Sequence, residues 1–302
     1  MRVAVIGLGA MGLPMAQRLA EEFSVSAHDV NPDAMGRATE SGIDTAATAA
    51  VAAARAEIAV LIVRDAAQLD MALFGSAGAA ETLPRGSVVV ITSTVGEGPL
   101  LDAQARLQLQ GVHCVDAALS GGPIRARSGD LLVMVGGPIE ARNRAQPVLD
   151  ALASTLCIVG EAVGQGQQLK TVNQLLCGIH TAAAAEALAL AHSMGLDLDL
   201  VLETLSAGAA ASFMFADRGP RIAEQLRGQS PGLRSRLDVI SKDMGIVGAT
   251  ARRSKVFTPV AAAAEQLYRA GEVAGRGAED DSVIVKLLAD QSGRGVGRVG
   301  GK

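Results

Sequence analysis

Apolar positions in the first half of the chain fall into short β-branched runs separated by longer stretches at helical spacing. Residues 2–6 (RVAVI) form one such run and stop at Gly7, which predicts a buried parallel strand. Met11 to Glu22 follows at helical period, and Phe23 to His28 predicts a second strand ending at Asp29. Residues 57–63 (EIAVLIV) and 88–92 (VVVIT) predict further strands, with Ala-rich helical sequence between them. His113 to Val115 and Leu131 to Val135 add two short strand candidates, and the pattern fades near Val159. Strand alternating with helix predicts an α/β fold with a doubly wound parallel sheet.

Beyond that point the strand signals stop. Gln165 to Ser193 reads as one long apolar helix with few breakers. Gly195 to Ser206, Asp217 to Leu226, Asp238 to Arg253 and Val260 to Ala270 follow at helical period. The expected organisation is a Rossmann-like domain over residues 1–162 and an all-helical domain over 163–292, joined by the long helix. Residues 293–302, with Gly293, Gly295, Gly297, Gly300 and Gly301, are expected to form a flexible tail. No repeat of fixed period is visible.

Composition narrows the function classes. A hydrophobic share of 49% permits a large core, and only 2% aromatics implies helices packed on small residues and no base-stacking platform. A net charge of −4 without a basic tract before the C-terminal tail argues against nucleic acid. Cys114, Cys157 and Cys177 are odd in number and scattered, which suits a reduced intracellular protein and neither a disulfide framework nor a zinc site. His28, His113, His180 and His192 are also widely spaced, so no metal is expected. The apolar run Val3 to Ile6 is too short for a signal-peptide core. The Ala-rich run Thr181 to Ala191 is short and contains Glu186, so no membrane span is expected and the cytoplasm is the default compartment.

The sharpest local motif is Gly7-Leu8-Gly9-Ala10-Met11-Gly12. It follows a strand and opens a helix, the context in which G-x-G-x-x-G binds a dinucleotide. Gly7 permits the tight turn, Gly9 lets backbone approach a pyrophosphate, and Gly12 lets helix pack on strand. The helix N-terminus then offers free N–H groups and partial positive charge. Asp29, at the end of the second strand, stands where a carboxylate accepts bonds from an adenosine ribose. No Arg or Lys follows it until Arg37, which favours NAD over NADP. Met11 and Met15, at helical spacing, read as core filler.

Two further constellations carry chemistry. Residues 116–123 (DAALSGGP) place the Ser120 hydroxyl beside the backbone N–H groups of Gly121 and Gly122, donors that suit a carboxylate, though alone they read as an ordinary turn. Residues 164–174 (GQGQQLKTVNQ) put Lys170 on one helix face with Asn173 or Gln174, and Cys177 and His180 continue the stripe. A lysine in apolar surroundings tends toward a lowered pKa, as a general acid or base near neutrality needs. A lysine snorkelling at a helix end fits the same spacing, and His180 reads as a core histidine. Glu279-Asp280-Asp281-Ser282 reads as a solvated turn or helix cap.

Taken together these pieces resemble the β-hydroxyacid dehydrogenase family, which includes 3-hydroxyisobutyrate dehydrogenases and tartronate semialdehyde reductases. Gly7 to Ala16 (GLGAMGLPMA) resembles its cofactor signature, and Ser93-Thr94 its Ser-Thr pair, where Thr94 would touch the nicotinamide end. Asp116 to Gly122 resembles its substrate turn, Lys170 its catalytic lysine, and Lys242-Asp243 a later step in which Lys242 reaches cofactor and substrate. Asn173-Gln174-Leu175-Leu176, Ser212-Phe213-Met214-Phe215 and Glu279 to Ser282 resemble more narrowly the L-threonate dehydrogenase branch. Gln174 stands where much of the family has Asn, Ile91 where Asp is common, and Arg64-Asp65 where Leu-Pro or Val-Asn is usual.

The resemblance implies an NAD-dependent enzyme that oxidises a small hydroxy acid. Ser120, Gly121 and Gly122 would hold the carboxylate, Lys170 would take the hydroxyl proton, and Asn173 and Gln174 would bond hydroxyl or carboxylate. It also implies a homodimer or homotetramer. The rivals are a reductase working in the opposite direction on an aldehyde acid, and a non-catalytic NADH sensor. Such a sensor should have lost Lys170 or the Ser-Gly-Gly turn. Imine reductases share the expected architecture but generally lack the lysine.

Overall fold

Val3 and Val5 face one side of the first strand and Ala4 and Ile6 the other, and both sides are buried. A strand covered on both faces reads as a continuous apolar run, which is the pattern of a parallel sheet sandwiched by helices. The computed structural model describes residues 1–289. It divides into two compact units, residues 1–170 and residues from 171 onward. The expected tail over 293–302 lies outside the described residues.

The first unit alternates strand and helix: β1 (Arg2–Ile6), α1 (Gly12–Leu19), β2 (Ser24–His28), α2 (Pro32–Glu40), β3 (Asp44–Thr45), α3 (Ala49–Ala53), β4 (Ile58–Leu61), α4 (Ala66–Phe74), β5 (Val88–Ile91), α5 (Glu97–Leu109), β6 (His113–Ser120), α6 (Gly122–Ser128), β7 (Leu131–Gly136), α7 (Ile139–Leu152) and β8 (Ala153–Gly160). The strands form one sheet in the order β3-β2-β1-β4-β5-β6-β7-β8. From β3 to β6 every neighbour is parallel, as the alternation predicts. The last two strands depart from that pattern. β7 runs antiparallel to β6, and β8 runs parallel to β7. Only the ten residues 121–130 join β6 to β7, and a parallel crossover needs about a dozen or more.

The long helix α8 (Gln165–Ser193) follows, and the division into units falls inside it. The second unit is helical among its described residues: the rest of α8, then α9 (Leu198–Ser206), α10 (Phe213–Leu226), α11 (Leu237–Arg253), α12 (Pro259–Val273) and α13 (Ile284–Ala289). Its core gathers Ala185, Leu188, Ile222, Leu237, Met244 and Tyr268. Small residues permit the close approach expected from the composition. A Cβ on Gly178 would collide with the Met244 sulfur, and one on Gly271 would meet Leu237. Tyr268 is fully buried, and its hydroxyl donates to the Gly178 carbonyl at 2.7 Å.

Helix α8 is long and apolar enough to cross a membrane by length and composition alone, a test that the core helix of a compact unit also passes. In the structure its Ala182, Ala184, Ala185 and Leu188 pack into the core of the second unit. Asp280 and Asp281 are not solvated, at 4% and 1% exposure. Asp280 does cap the turn Asp281–Val283. It also accepts Arg221 Nε at 2.9 Å, while Asp281 accepts Arg221 Nη2 at 3.2 Å and Arg218 Nη2 at 3.1 Å. Burial alone would raise Asp280, but the Arg234 N–H, the Ser282 hydroxyl and the Arg221 charge hold it below the usual carboxylate range.

Candidate active site

In the parallel part of the sheet, register brings the carboxyl ends of the strands to one edge. Ile6 pairs with both His28 and Leu61, Leu61 with Ile91, and Ile91 with Asp116. The Gly7–Gly12 loop, Asp29, Arg64-Asp65, Ser93-Thr94 and Ser120–Gly122 therefore all leave the sheet on the same side. The strand order reverses between β1 and β4. That switch point is where doubly wound sheets open a ligand crevice.

The three glycines of the first loop answer to different demands. Gly7 has φ +100°, and a Cβ there would collide with the Ile62 carbonyl. A Cβ on Gly12 would collide with the Gly7 carbonyl. Gly9 is exposed, has no positive φ, and a Cβ on it would meet nothing within 4 Å. The fold itself does not require glycine at position 9, whereas a group lying directly on the backbone does. The loop thus fits a dinucleotide pyrophosphate on its own geometry. Asp29 is half-buried beside it and anchors the loop by accepting Leu8 N–H at 2.6 Å. Its other oxygen accepts Asn31 N–H at 2.8 Å, and a carboxylate keeps further lone pairs for ribose hydroxyls.

Arg64-Asp65 has a local explanation. Asp65 caps α4 by accepting Gln68 N–H at 2.9 Å, and the Gln68 side chain accepts Arg64 N–H at 3.0 Å. The pair is a reciprocal helix cap. At the next strand, Ser93 is buried and its hydroxyl accepts Val63 N–H at 2.7 Å, which fixes the approach to half-buried Thr94. Ile91 is fully buried, so this position serves the core.

β6 continues four residues beyond Asp116 to Ser120. Gly121 and Gly122 follow with φ +145° and +77°, a backbone path closed to most side chains. Asp116 itself is fully buried. Burial pushes its carboxyl up to about 6 against the pull of the Gln167 N–H, donated to it at 2.8 Å. The space around this carboxyl explains two more glycines, since a Cβ on Gly136 or Gly166 would press on its oxygens.

Gln167 escaped the sequence reading. It is 1% exposed. Its Nε2 donates to the Ser93 carbonyl at 2.8 Å, and its Oε1 accepts Val95 N–H at 3.3 Å and Gly96 N–H at 3.2 Å. Three residues later on the same helix, Lys170 is 7% exposed, so it does not snorkel into solvent. In the second unit, Asn173 is half-buried and Gln174 buried. Asn173 Nδ2 donates to Gln174 Oε1 at 2.8 Å, and Gln174 Nε2 donates to Asp243 at 2.5 Å. Asp243 also pairs with Lys242 at 2.8 Å.

Comparison with known proteins identifies the family. Residues 2–164 match the family model described as the NAD binding domain of 6-phosphogluconate dehydrogenase. Residues 164–288 match the NAD-binding model of NADP-dependent 3-hydroxyisobutyrate dehydrogenase. The chain is 40% identical to the L-threonate dehydrogenase of Cupriavidus necator over 287 residues, 95% of each protein. It is 35% identical to the L-threonate dehydrogenase of Pectobacterium atrosepticum, covering 95% of this chain and 93% of that protein. A crystal structure described as 3-hydroxyisobutyrate dehydrogenase from Salmonella typhimurium superposes with a TM-score of 0.87 at 34% identity, covering 95% of this chain and 99% of that one. With its fold, its dinucleotide loop and its helical half all accounted for, the chain belongs to the β-hydroxyacid dehydrogenase family, the NAD-dependent hydroxyacid dehydrogenases that act on CH–OH groups.

Proposed function

We propose that this protein oxidises L-threonate with NAD, using Lys170 as general acid and base. The observation that carries the reading is Lys170 itself: a buried lysine three residues after the anchored first turn of α8, with Asn173 one turn further on. A buried amine held against the reacting carbon is placed to take and return the substrate's proton. The identity to L-threonate dehydrogenases over nearly the whole chain supports the substrate.

Ser120 and the N–H groups of Gly121 and Gly122 would hold the acid's carboxylate. Lys170 would take the proton of the reacting hydroxyl and return it in the reverse direction. Asn173, Gln174 and Lys242 would orient the acid, Lys242 also reaching the cofactor. Gly7, Leu8, Gly9, Ala10, Met11 and Gly12 would hold the pyrophosphate, Asp29 the ribose and Thr94 the nicotinamide end. NAD, when bound, supplies the hydride acceptor. The remaining work of the chain is positioning. A cytoplasmic homodimer or homotetramer fits Cys114, Cys157 and Cys177, which are not joined in disulfides, and the exposed apolar face of α8 at Val172, Leu176 and Leu190.

The test is NADH or NADPH formation, followed by absorbance, with L-threonate, D-threonate, D-erythronate, 3-hydroxyisobutyrate, D-glycerate and L-serine. Preferred turnover of L-threonate with NAD supports the reading. Preferred turnover of 3-hydroxyisobutyrate keeps the mechanism and moves the substrate. Tight NADH binding with no turnover of any acid in either direction overturns the enzyme and favours a sensor.

A further inference from the structure

Asn173, Gln174 and Asp243 form a hydrogen-bonded row whose polarity is set from one end. Asp243 is 4% exposed and its carboxylate is paired with the Lys242 ammonium at 2.8 Å. A carboxylate so paired offers acceptors only. Gln174 must therefore turn its NH₂ toward Asp243, and that bond is 2.5 Å long. Its carbonyl oxygen is then left for Asn173, which must answer with its own NH₂, at 2.8 Å. The same nitrogen lies 3.5 Å from Cys177 Sγ. With both neighbours drawing on the nitrogen, the group that Asn173 offers a ligand is its carbonyl oxygen.

We propose that this relay makes Asn173 an obligate acceptor toward the substrate, so that the enzyme selects acids carrying a second hydroxyl besides the one oxidised. The inference rests on the reading that Asn173 contacts the acid. A carboxylate has no proton to give to an acceptor. The reacting hydroxyl loses its proton and becomes a carbonyl, which an amide oxygen would repel. A second hydroxyl keeps its proton throughout and satisfies Asn173 before and after hydride transfer. Gln174 and Asp243 are positioning residues in this scheme.

The experiment compares L-threonate, which carries hydroxyls at C2, C3 and C4, with the two deoxyfluoro analogues that keep the reacting hydroxyl and replace one of the other two by fluorine, which can accept but not donate. The analogue turned over less well marks the hydroxyl that Asn173 holds and is the one used in the variants. In the wild type, kcat/KM should favour the hydroxyl by about tenfold or more, as sites built to bond a hydroxyl do. In Asp243→Asn the row inverts. The new amide turns its oxygen to Lys242 and its NH₂ to Gln174, and Asn173 then shows NH₂ to the substrate. The hydroxyl-to-fluorine ratio should fall about tenfold, toward unity. Gln174→Leu, which cuts the row, should lower the ratio in the same way. If that variant does not fold, Asp243→Asn, which keeps side-chain volume, carries the test. A purely structural row would lower turnover of both acids by one factor, and an unchanged ratio in Asp243→Asn overturns the inference. Wild-type turnover without preference for the hydroxyl overturns it while sparing the proposed function. Absence of turnover on every acid removes both.

Discussion

Asp116 accepts the backbone N–H of Gln167 at 2.8 Å, so a carboxylate buried in the sheet caps the first turn of the helix that carries Lys170. Burial pushes its pKa from 3.8 to about 6, the Gln167 N–H opposing. Between those values the folded protein holds a proton that the unfolded chain has released. The stabilising contribution is therefore complete below about pH 4 and is lost as pH rises through about 6, by about 3 kcal/mol in all. Asp116→Asn removes the titration. Relative to wild type, the variant should gain about 3 kcal/mol between about pH 4 and about pH 7.5 in urea unfolding. A difference that stays flat with pH would show that the carboxyl is not raised.

Lys170 is the group on which turnover should depend most steeply. Lys170→Ala should lower kcat by about 10²- to 10⁴-fold, the usual worth of a placed acid–base group. Lys170→Arg should fall by a similar factor, because a guanidinium stays protonated and cannot accept the substrate proton. Fluorescence titration should find NADH binding retained in both. Near-wild-type turnover by either variant would remove Lys170 from the proposed role.

How much was legible follows from whether a feature is local. Helix α8 could be read to its ends because a long apolar helical pattern lies between Gly164 and Gly195, both at positive φ. The dinucleotide loop was legible because strand, glycines, helix and Asp29 fall within one short stretch. Strand β8 was missed because Ser154, Thr155 and Ile158 are exposed, so its sequence shows neither a buried run nor clean alternation. The reversal at β7 depends on the length of a connection, not on the strand's own residues. Gln167 was unreadable for a different reason. In a run of Gly and Gln it reads as solvated polar sequence, and its meaning arises only when residues 93–96 fold against it. Asp280 and Asp281 are similar: their partners Arg218 and Arg221 lie about sixty positions away.

The glycines of the first loop can be separated by experiment. Gly9→Ala meets no atom of the protein within 4 Å. It should leave the melting temperature unchanged or slightly raised, since the change only restricts the unfolded chain. NADH affinity should nonetheless fall about tenfold or more, because the methyl occupies the space of the pyrophosphate. Gly12→Ala would collide with the Gly7 carbonyl, so it should destabilise the fold as well. The pair is checked by thermal melts and NADH titration side by side. Unimpaired NADH binding by Gly9→Ala would mean that the loop does not hold the pyrophosphate.

The second unit should be most sensitive at a residue given no role in the proposed chemistry. Arg221 is 5% exposed and bonds Asp280 at 2.9 Å and Asp281 at 3.2 Å. Replacing it by an apolar side chain of similar reach, Arg221→Met, leaves two carboxylates buried with fewer counter-charges. Breaking a buried pair from one side costs about 3–5 kcal/mol. By contrast, Arg127 and Glu21 pair at 2.5 Å with side chains 50% and 44% exposed, so Arg127→Met should leave stability nearly unchanged. Denaturant unfolding of both variants gives the comparison. Equal losses would mean that the Asp280 and Asp281 carboxylates are relieved by protonation or water when Arg221 is gone. In that case the loss at Arg221→Met should grow with rising pH, as the carboxyls ionise without their partner.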